Sequence, residues 1–308
     1  MSVYKISNLD EETFIKTSKA LKGYYKFLSI LYLDLLGLPK LDGIIITKWE
    51  KDTEENIKSF FKKKSIQKVM IRSDKKNETG KLPRGGYLVD INNMKEEALK
   101  LFKNNRIIAL LEPANFYDNL YGFNALFHPD INYIHMEVVG PGFDVSDIKR
   151  GDISPHEIIK LPRVNHNQSF NGAEELSPWK VKRTIMSPGH YQKAVFYRLV
   201  KIGRLITKQK NLQQSLDEDN LIELAIDYLQ KSNHTLLLNN MNKYNPMSFR
   251  YIENIYYYIV LLPKKMKLFS FKSEPFVISG GIIKPNRVVF WDIVWPDLKY
   301  VPPKKSGG

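Results

Sequence analysis

The sequence predicts an α+β protein built of two lobes, and three observations support this. The chain has 308 residues, of which 43% are hydrophobic and 26% charged, enough for two lobes with sizeable cores. Short apolar runs alternate with amphipathic stretches over residues 1–130, as strands and helices do. A second set of strands and helices follows over residues 131–301 and ends in a hairpin, before a tail at 302–308 that we expect to be flexible.

The N-terminal lobe is expected to begin with a helical segment at residues 10–36, broken near Gly23, because apolar side chains recur there at helical spacing. Gly37 and Pro39 end this segment, as glycine and proline commonly do after helices. Strands and helices alternate in the rest of the lobe. Strands are predicted at residues 44–46, 68–72, 87–91 and 106–111, and helices at residues 53–64 and 94–102.

The C-terminal lobe is expected to open with two strands, at residues 133–139 and 156–161, followed by a mobile, polar loop at 162–177. Amphipathic spacing then predicts three helices, the second of them capped by Asp217. Two apolar runs around the turn Lys284-Pro285-Asn286 predict the closing hairpin. The helices are predicted at residues 188–207, 217–229 and 246–262, and the hairpin strands at residues 276–283 and 288–294.

The composition excludes several kinds of site. The chain has no cysteine, which rules out disulfides, thiolate zinc sites and a cysteine nucleophile. Its six histidines form no helical metal-binding pair, and neither a serine-hydrolase elbow nor a P-loop pattern is present. No apolar run reaches the roughly 18 residues of a membrane span, and the start of the chain does not resemble a secretory signal. We therefore expect a cytoplasmic protein with no membrane partner.

The formal net charge of +14 is compatible with an anionic partner, although a solvated, Lys-rich surface is the commoner reason for such a charge. The chain also contains 17 tyrosines and 16 phenylalanines, and aromatic rings stack on nucleic-acid bases. A non-enzymatic nucleic-acid-binding protein is therefore one alternative function.

Arg72 ends the apolar run Val69-Met70-Ile71, and a Gly-rich turn is expected at residues 79–86 soon afterwards. The guanidinium group offers a fixed fork of donors that matches phosphate oxygens. Backbone N–H groups of a Gly-rich turn can approach the same anion closely. This combination favours a polyphosphate site, and hence a nucleotide enzyme.

Three patterns follow one another in the N-terminal part of the chain. They are Gly23-Tyr24-Tyr25-Lys26, then Gly37-Leu38-Pro39 with Asp42-Gly43-Ile44-Ile45-Ile46-Thr47, then Val69-Met70-Ile71-Arg72-Ser73-Asp74. In this order they resemble the opening of the nucleotide-binding domain of phosphoenolpyruvate synthase and pyruvate phosphate dikinase, members of the ATP-grasp superfamily. The resemblance implies a two-lobe ATP-grasp-like fold with ATP held between the lobes, and a catalytic, phosphate-binding role for Lys26 and Arg72. Lys26 departs from the family pattern because Tyr25, and not glycine, precedes it.

The stretch from Glu137 to Val145 is similar to the hinge of ATP-grasp ligases, in which backbone groups bind the adenine edge. The resemblance implies that Glu137, Val138, Val139 and Asp144 bind the nucleotide. An apolar strand that ends in a Gly turn suits a flat base, which needs an apolar slot and a few fixed donors. An ordinary hairpin is the alternative interpretation.

Asp292 lies inside an apolar strand, where a carboxylate is costly unless it is paired or binds a metal. The resemblance implies a Mg²⁺ ion that bridges the ATP phosphates and is held by Asp292 together with Glu274. Asp292 stands where the family has Gln, and Val294 stands where it has Arg. A solvent-facing edge-strand residue is the alternative for Asp292.

We therefore expect an ATP- and Mg²⁺-dependent ligase that activates a carboxylate as an acyl phosphate for attack by an amine. The missing Gln and Arg of the closing pattern favour ligation. The alternative within the same family is a phosphotransferase that acts on a small molecule or on a separate phosphohistidine carrier protein.

Overall fold

The computed structural model describes residues 2–62, 64–78, 87–113, 119–163, 176–209, 216–268 and 275–295. The Gly-rich residues 79–86, Glu274, residues 164–175 of the expected loop and the tail at 302–308 lie outside the described residues. In the described ranges, no helix combines the length and the hydropathy needed to cross a bilayer.

The α+β class is confirmed, since strands and helices both contribute extensively. The strands are β1 (Val3–Lys5), β2 (Gly43–Ile46), β3 (Lys68–Lys75), β4 (Tyr87–Asp90), β5 (Arg106–Leu111), β6 (Asn119–Phe127), β7 (Tyr133–Val139), β8 (Glu157–Pro162), β9 (Lys182–Ile185), β10 (Phe276–Ile283) and β11 (Arg287–Val294). The helices are α1 (Glu11–Ala20), α2 (Tyr25–Leu35), α3 (Thr53–Lys62), α4 (Met94–Lys103), α5 (Ser146–Arg150), α6 (Pro188–Gln209), α7 (Glu218–Lys231), α8 (Leu236–Asn239), α9 (Phe249–Ile259) and α10 (Leu262–Leu268).

The strands form two sheets. A five-stranded sheet has the order β1-β2-β5-β3-β4, and a six-stranded sheet has the order β11-β10-β6-β7-β8-β9. The pairs β2–β5, β3–β5, β6–β7 and β7–β8 are antiparallel. This pairing is typical of α+β folds and not of parallel α/β folds.

The described residues fall into two compact units. The first comprises those within Met1–Asn115, Lys265–Ile278 and Val289–Val301, and the second those within Phe116–Lys264, Ser279–Val288 and Pro302–Gly308. The boundary that the sequence predicts at residue 130 puts β6 in the first lobe, whereas β6 lies in the second unit.

Strand β6 was not expected, because Gly122 and Asn124 interrupt its apolar pattern. A Cβ atom at Gly122 would lie only 3.0 Å from Val139 Cγ2 and 3.2 Å from Val145 Cβ, so the glycine allows these neighbours to approach. Asn124 is buried but accepts a hydrogen bond of 2.8 Å from the Ser279 hydroxyl. Tertiary packing therefore permits two residues that disfavour strands in isolation.

In the first unit, the alternation of β3 decides which side chains reach the candidate site. Val69 and Ile71 belong to a buried cluster that includes residues of α3 and α4. Since neighbouring strand residues point to opposite faces, Arg72 and Asp74 lie on the other face of the sheet. Helix α2 contacts β3 and carries Lys26.

In the second unit, His156 is fully buried among aromatic rings. Its ring centroid lies 4.5 Å from that of Phe143, 4.8 Å from that of Tyr191 and 5.5 Å from that of Tyr244. Nδ1 accepts a hydrogen bond of 2.9 Å from the Gly140 N–H, so the neutral ring carries its proton on Nε2. This burial lowers the pKa of His156 from 6.5 to about 3.

Acid should therefore destabilise the second unit through His156. A histidine whose pKa is lowered on folding contributes stability at neutral pH, and this contribution is lost as the pH falls from 6.5 toward 3. One such group lowers the free energy of unfolding by about 1.4 kcal/mol per pH unit in this window. His156→Asn keeps an acceptor for Gly140 but cannot titrate, so denaturant unfolding at several pH values should show a shallower acid slope for this variant. Equal slopes in the two proteins would refute the assignment.

Candidate functional site

The N-terminus of α2 is capped by a side chain from β3. Tyr24, at the N-cap position, makes no side-chain capping bond. Asp74 instead accepts hydrogen bonds from the backbone N–H groups of Lys26, at 3.0 Å, and Phe27. Its other oxygen accepts from the Lys75 N–H at 2.9 Å. The carboxylate thus satisfies helix donors that would otherwise be unpaired, and it joins α2 to the end of β3.

Asp74 is only 2% exposed. Burial raises the pKa of Asp74, and the charge of Lys26 and the backbone donors oppose this effect only in part. Burial likewise lowers the pKa of Lys26, although Asp74 and Glu78 favour its charged form. Burial is the largest cause of both shifts, in keeping with the low exposure of Asp74 and of the Lys26 side chain.

Gly23 makes the turn before α2. Its φ of +91° lies in the region that only glycine adopts readily, and a Cβ atom there would come within 2.7 Å of Asn77 Oδ1. The Asn77 N–H donates to the Gly23 carbonyl at 2.7 Å. Gly23, three residues before Lys26, therefore lets the segment after β3 lie against the start of α2.

The side chain of Lys26 lies among charged groups of the first unit. Its Nζ donates to the Ser73 carbonyl at 3.2 Å and lies 3.7 Å from Glu78 Oε2. Arg72 and Arg106 are both near enough to lower the pKa of Lys26 by charge repulsion. The structure therefore brings together the two predicted phosphate-binding residues, Lys26 and Arg72, and adds a third cation.

Arg72 is half-buried, and its Nη1 donates to the Trp291 carbonyl at 3.5 Å. Arg106 was not identified from the sequence. Its Nη2 lies 2.5 Å from Glu78 Oε1, and its Nη1 donates to Glu78 Oε2 and to Ser73 Oγ, both at 3.3 Å. Arg106 reaches Ser73 and Glu78 because β5 pairs with β3, with Arg106 opposite Lys75. No local sequence signal indicates this pairing.

Asp292, the predicted metal ligand, also lies in the first unit. Its Oδ1 accepts a hydrogen bond of 2.7 Å from the hydroxyl of Ser29, which lies one turn after Lys26 on α2. Ser29 Oγ in turn accepts from the Ile293 N–H at 2.8 Å. Asp292 is thus half-buried and hydrogen-bonded, in a strand at the edge of the six-stranded sheet.

The fit of this region to Mg²⁺ can be judged from its donors. The part of the chain that the structure describes contains no group of three or more His, Asp or Glu side chains that could hold a metal, and Glu274 lies outside it. Asp292 supplies one carboxylate. Mg²⁺ is commonly bound by one or two carboxylates together with substrate phosphates and water, and Asp292 alone would meet the lower of these numbers for an ion that arrives with a nucleotide.

The predicted adenine-binding residues lie in the second unit. Glu137, Val138 and Val139 are in β7, which pairs with β6 on one side and β8 on the other. The Val138 carbonyl accepts a hydrogen bond of 2.8 Å from the His156 N–H, so it is already used within the unit. The Glu137 carboxylate is half-buried and lies 3.8 Å from His135 Nε2.

Asp144 follows the Gly turn after β7. Its Oδ1 accepts a hydrogen bond of 2.8 Å from the Ser146 N–H. Burial would raise the pKa of Asp144, but the charge of Arg198 and the bonds from Ser146 outweigh it, so the pKa is lowered and the carboxylate stays ionised. Asp144 therefore has a structural role at the start of α5, whatever else it binds.

No protein-family model and no curated protein matches this sequence. Among solved structures, the chain is similar to D-alanyl-alanine synthetase A from Vibrio cholerae O1 biovar eltor, with 9% identity and a TM-score of 0.40 over 88% of this chain and 54% of that one. It is also similar to the macrocyclase MdnC bound with the precursor peptide MdnA from Microcystis aeruginosa MRC, with 9% identity and a TM-score of 0.33 over 96% and 69%. Both likenesses are loose, and the chain spans about half the length of the synthetase.

Proposed function

We propose that this protein is an ATP- and Mg²⁺-dependent ligase that activates a carboxylate as an acyl phosphate for attack by an amine. The observation that supports it most is the junction of α2 with β3 beside Arg72, where Asp74 accepts from the Lys26 N–H at 3.0 Å and Lys26 Nζ donates to the Ser73 carbonyl at 3.2 Å. A lysine and a guanidinium on a rigid helix and strand are suited to bind a polyphosphate.

In the proposed reaction, a carboxylate oxygen of the substrate attacks the γ-phosphorus of ATP, and the bond to the ADP oxygen breaks. The amine then attacks the acyl carbon of the acyl phosphate, loses a proton and releases inorganic phosphate. Lys26 and Arg72 would bind the β- and γ-phosphate oxygens and offset the negative charge that develops there. Mg²⁺, when bound through Asp292 and the phosphates, would add to this charge neutralisation.

The proposal assigns the base and ribose to Glu137, Val138, Val139 and Asp144 on the family resemblance. Because the Val138 carbonyl is bonded within the second unit, Glu137 is the member of this group best tested by substitution. Glu137→Ala should weaken the binding of ATP but not of inorganic tripolyphosphate, which has no base. Equal loss for both ligands would contradict the assignment.

A phosphotransferase would use the same phosphate-binding residues and differ only in its acceptor, a small molecule or a separate phosphohistidine carrier protein. The nucleic-acid alternative is favoured by a different observation, the net charge of +14. These functions can be separated by their products, because a nucleic-acid binder releases no ADP.

Trapping with hydroxylamine tests the ligase directly. Hydroxylamine replaces the amine and converts an acyl phosphate into a hydroxamate, so ATP, Mg²⁺ and a panel of carboxylic acids should yield hydroxamate and ADP in equal amounts with one class of acid. Release of AMP would contradict an acyl phosphate, and transfer of label from [γ-³²P]ATP to a protein or small molecule without hydroxamate would favour the phosphotransferase.

A further inference from the structure

The carboxylate of Glu78 occupies a position suited to an anion at the candidate phosphate site. Its two oxygens engage Nη1 and Nη2 of Arg106, at 3.3 Å and 2.5 Å, in the two-pronged arrangement that guanidinium groups also form with phosphate. The oxygen that faces Nη1 lies 3.7 Å from Lys26 Nζ. One side-chain carboxylate therefore lies between two cations, one of which, Lys26, is predicted to bind ATP phosphates.

The turn after β3 positions Glu78. The Glu78 N–H donates to the Lys75 carbonyl at 3.1 Å, and the Asn77 N–H donates to the Gly23 carbonyl at 2.7 Å. The first bond is local and the second links the turn to Gly23, before α2, and Glu78 comes directly before the Gly-rich residues 79–86. Rotation about the side-chain bonds of Glu78 would move the carboxylate without breaking these backbone bonds or the strand pairs of β3.

Lys26, Arg106 and Glu78 are buried to a degree that allows a ligand to replace the Glu78 carboxylate. The side chains of Lys26 and Arg106 are 14% exposed and that of Glu78 is 16% exposed. At this depth the charges are screened less than at the surface, yet a ligand can still reach them. A phosphate group carries more negative charge than a carboxylate and is therefore the stronger partner for clustered cations.

We propose that Arg106 is a third anion-binding residue of this site and that Glu78 holds Lys26 and Arg106 until a phosphate group displaces it. This inference rests on the proposed function and adds that the Glu78 carboxylate competes with the phosphate groups of ATP for the two cations. While Glu78 pairs with the two cations, a ligand cannot bind to them. The apparent affinity is therefore the affinity of the vacant site multiplied by the fraction of molecules in which the site is vacant. The site would then select polyphosphates, which displace Glu78, over singly charged anions.

Calorimetric titration with Mg·ATP and with inorganic tripolyphosphate tests this inference. Glu78→Gln removes the competing charge and should tighten both ligands about 3- to 10-fold. Arg106→Ala should weaken both about 10-fold, and it should do so in the Glu78→Gln background as well. Glu54→Gln is the matched control, because it removes the same charge from α3, where Glu54 pairs with Lys58 and Lys95 at the surface.

The outcomes separate this inference from the proposed function. The first outcome is that the wild type binds Mg·ATP, that Arg72→Ala weakens this binding, and that Glu78→Gln binds Mg·ATP no more tightly than Glu54→Gln does. The competitor role of Glu78 is then overturned and the proposed function stands. Weaker binding by Glu78→Gln, with a melting temperature equal to that of the wild type, would likewise overturn it. If neither the wild type nor Glu78→Gln binds either ligand, the proposed function fails and this inference fails with it.

Discussion

Replacing Arg72 by alanine is expected to weaken the binding of Mg·ATP about 10- to 100-fold, which is the effect of losing charge-assisted hydrogen bonds to phosphate. Because Arg72 is half-buried and donates to the Trp291 carbonyl at 3.5 Å, the stability of the variant has to be compared with that of the wild type. Calorimetric titration measures the affinity, and thermal unfolding measures the stability of the same samples.

Two further variants show whether the loss is specific to the site. Arg72→Lys keeps the charge but not the fork of donors, so it should recover only part of the affinity. Arg204→Ala removes the same charge from α6 in the other unit, where the side chain is 66% exposed, and should bind Mg·ATP as the wild type does. An equal loss in Arg72→Ala and Arg204→Ala would mean that general electrostatic attraction, and not a phosphate site, accounts for binding.

Replacing Asp74 by alanine is expected to lower the free energy of unfolding by about 2–4 kcal/mol, the largest effect on stability that we predict. The substitution removes the acceptor for the N–H groups of Lys26, Phe27 and Lys75 at a site that is 2% exposed. It also removes the carboxylate that favours the charged form of Lys26. Denaturant unfolding followed by circular dichroism measures the loss.

Asp10 provides a matched comparison, because its carboxylate also caps a helix. Asp10 Oδ1 accepts a hydrogen bond of 2.7 Å from the Thr13 N–H at the start of α1, in an exposed position. Asp10→Ala should therefore cost much less than Asp74→Ala, and Asp74→Asn, which keeps one acceptor oxygen, should fall between them. If Asp74→Ala costs no more than Asp10→Ala, the cap does not join α2 to β3 as the structure indicates.

Local patterns predicted most of the helices and strands. The break at Gly23, the cap of α7 by Asp217 and the closing hairpin were all expected, because each depends on residues close together in the chain. Strands β1, β6 and β9 were not expected. Strand β9 has four exposed residues and no apolar alternation, so only its pairing with β8 defines it.

The candidate site was predictable only in part, for the same reason. Lys26 and Arg72 were linked through a family resemblance, and in the structure Lys26 Nζ donates to the carbonyl of Ser73, the residue that follows Arg72. Asp74 was visible beside Arg72, but its role as a cap was not, because a cap usually precedes its own helix and Asp74 lies 48 residues after Lys26. Arg106 and Glu78 meet only once β3 and β5 have paired, so a reading along the chain could not find them.

The most direct test of the central claim is the calorimetric titration of ATP into the wild-type protein, with and without Mg²⁺, beside a single-stranded oligonucleotide. We predict saturable binding of one ATP per chain that is strengthened by Mg²⁺ and weakened by Arg72→Ala. The absence of both heat and a thermal shift with any nucleotide would contradict the claim. In that case, the oligonucleotide could still bind with a steep salt dependence and with the same affinity in Arg72→Ala as in the wild type. This result would make nucleic-acid binding the preferred function.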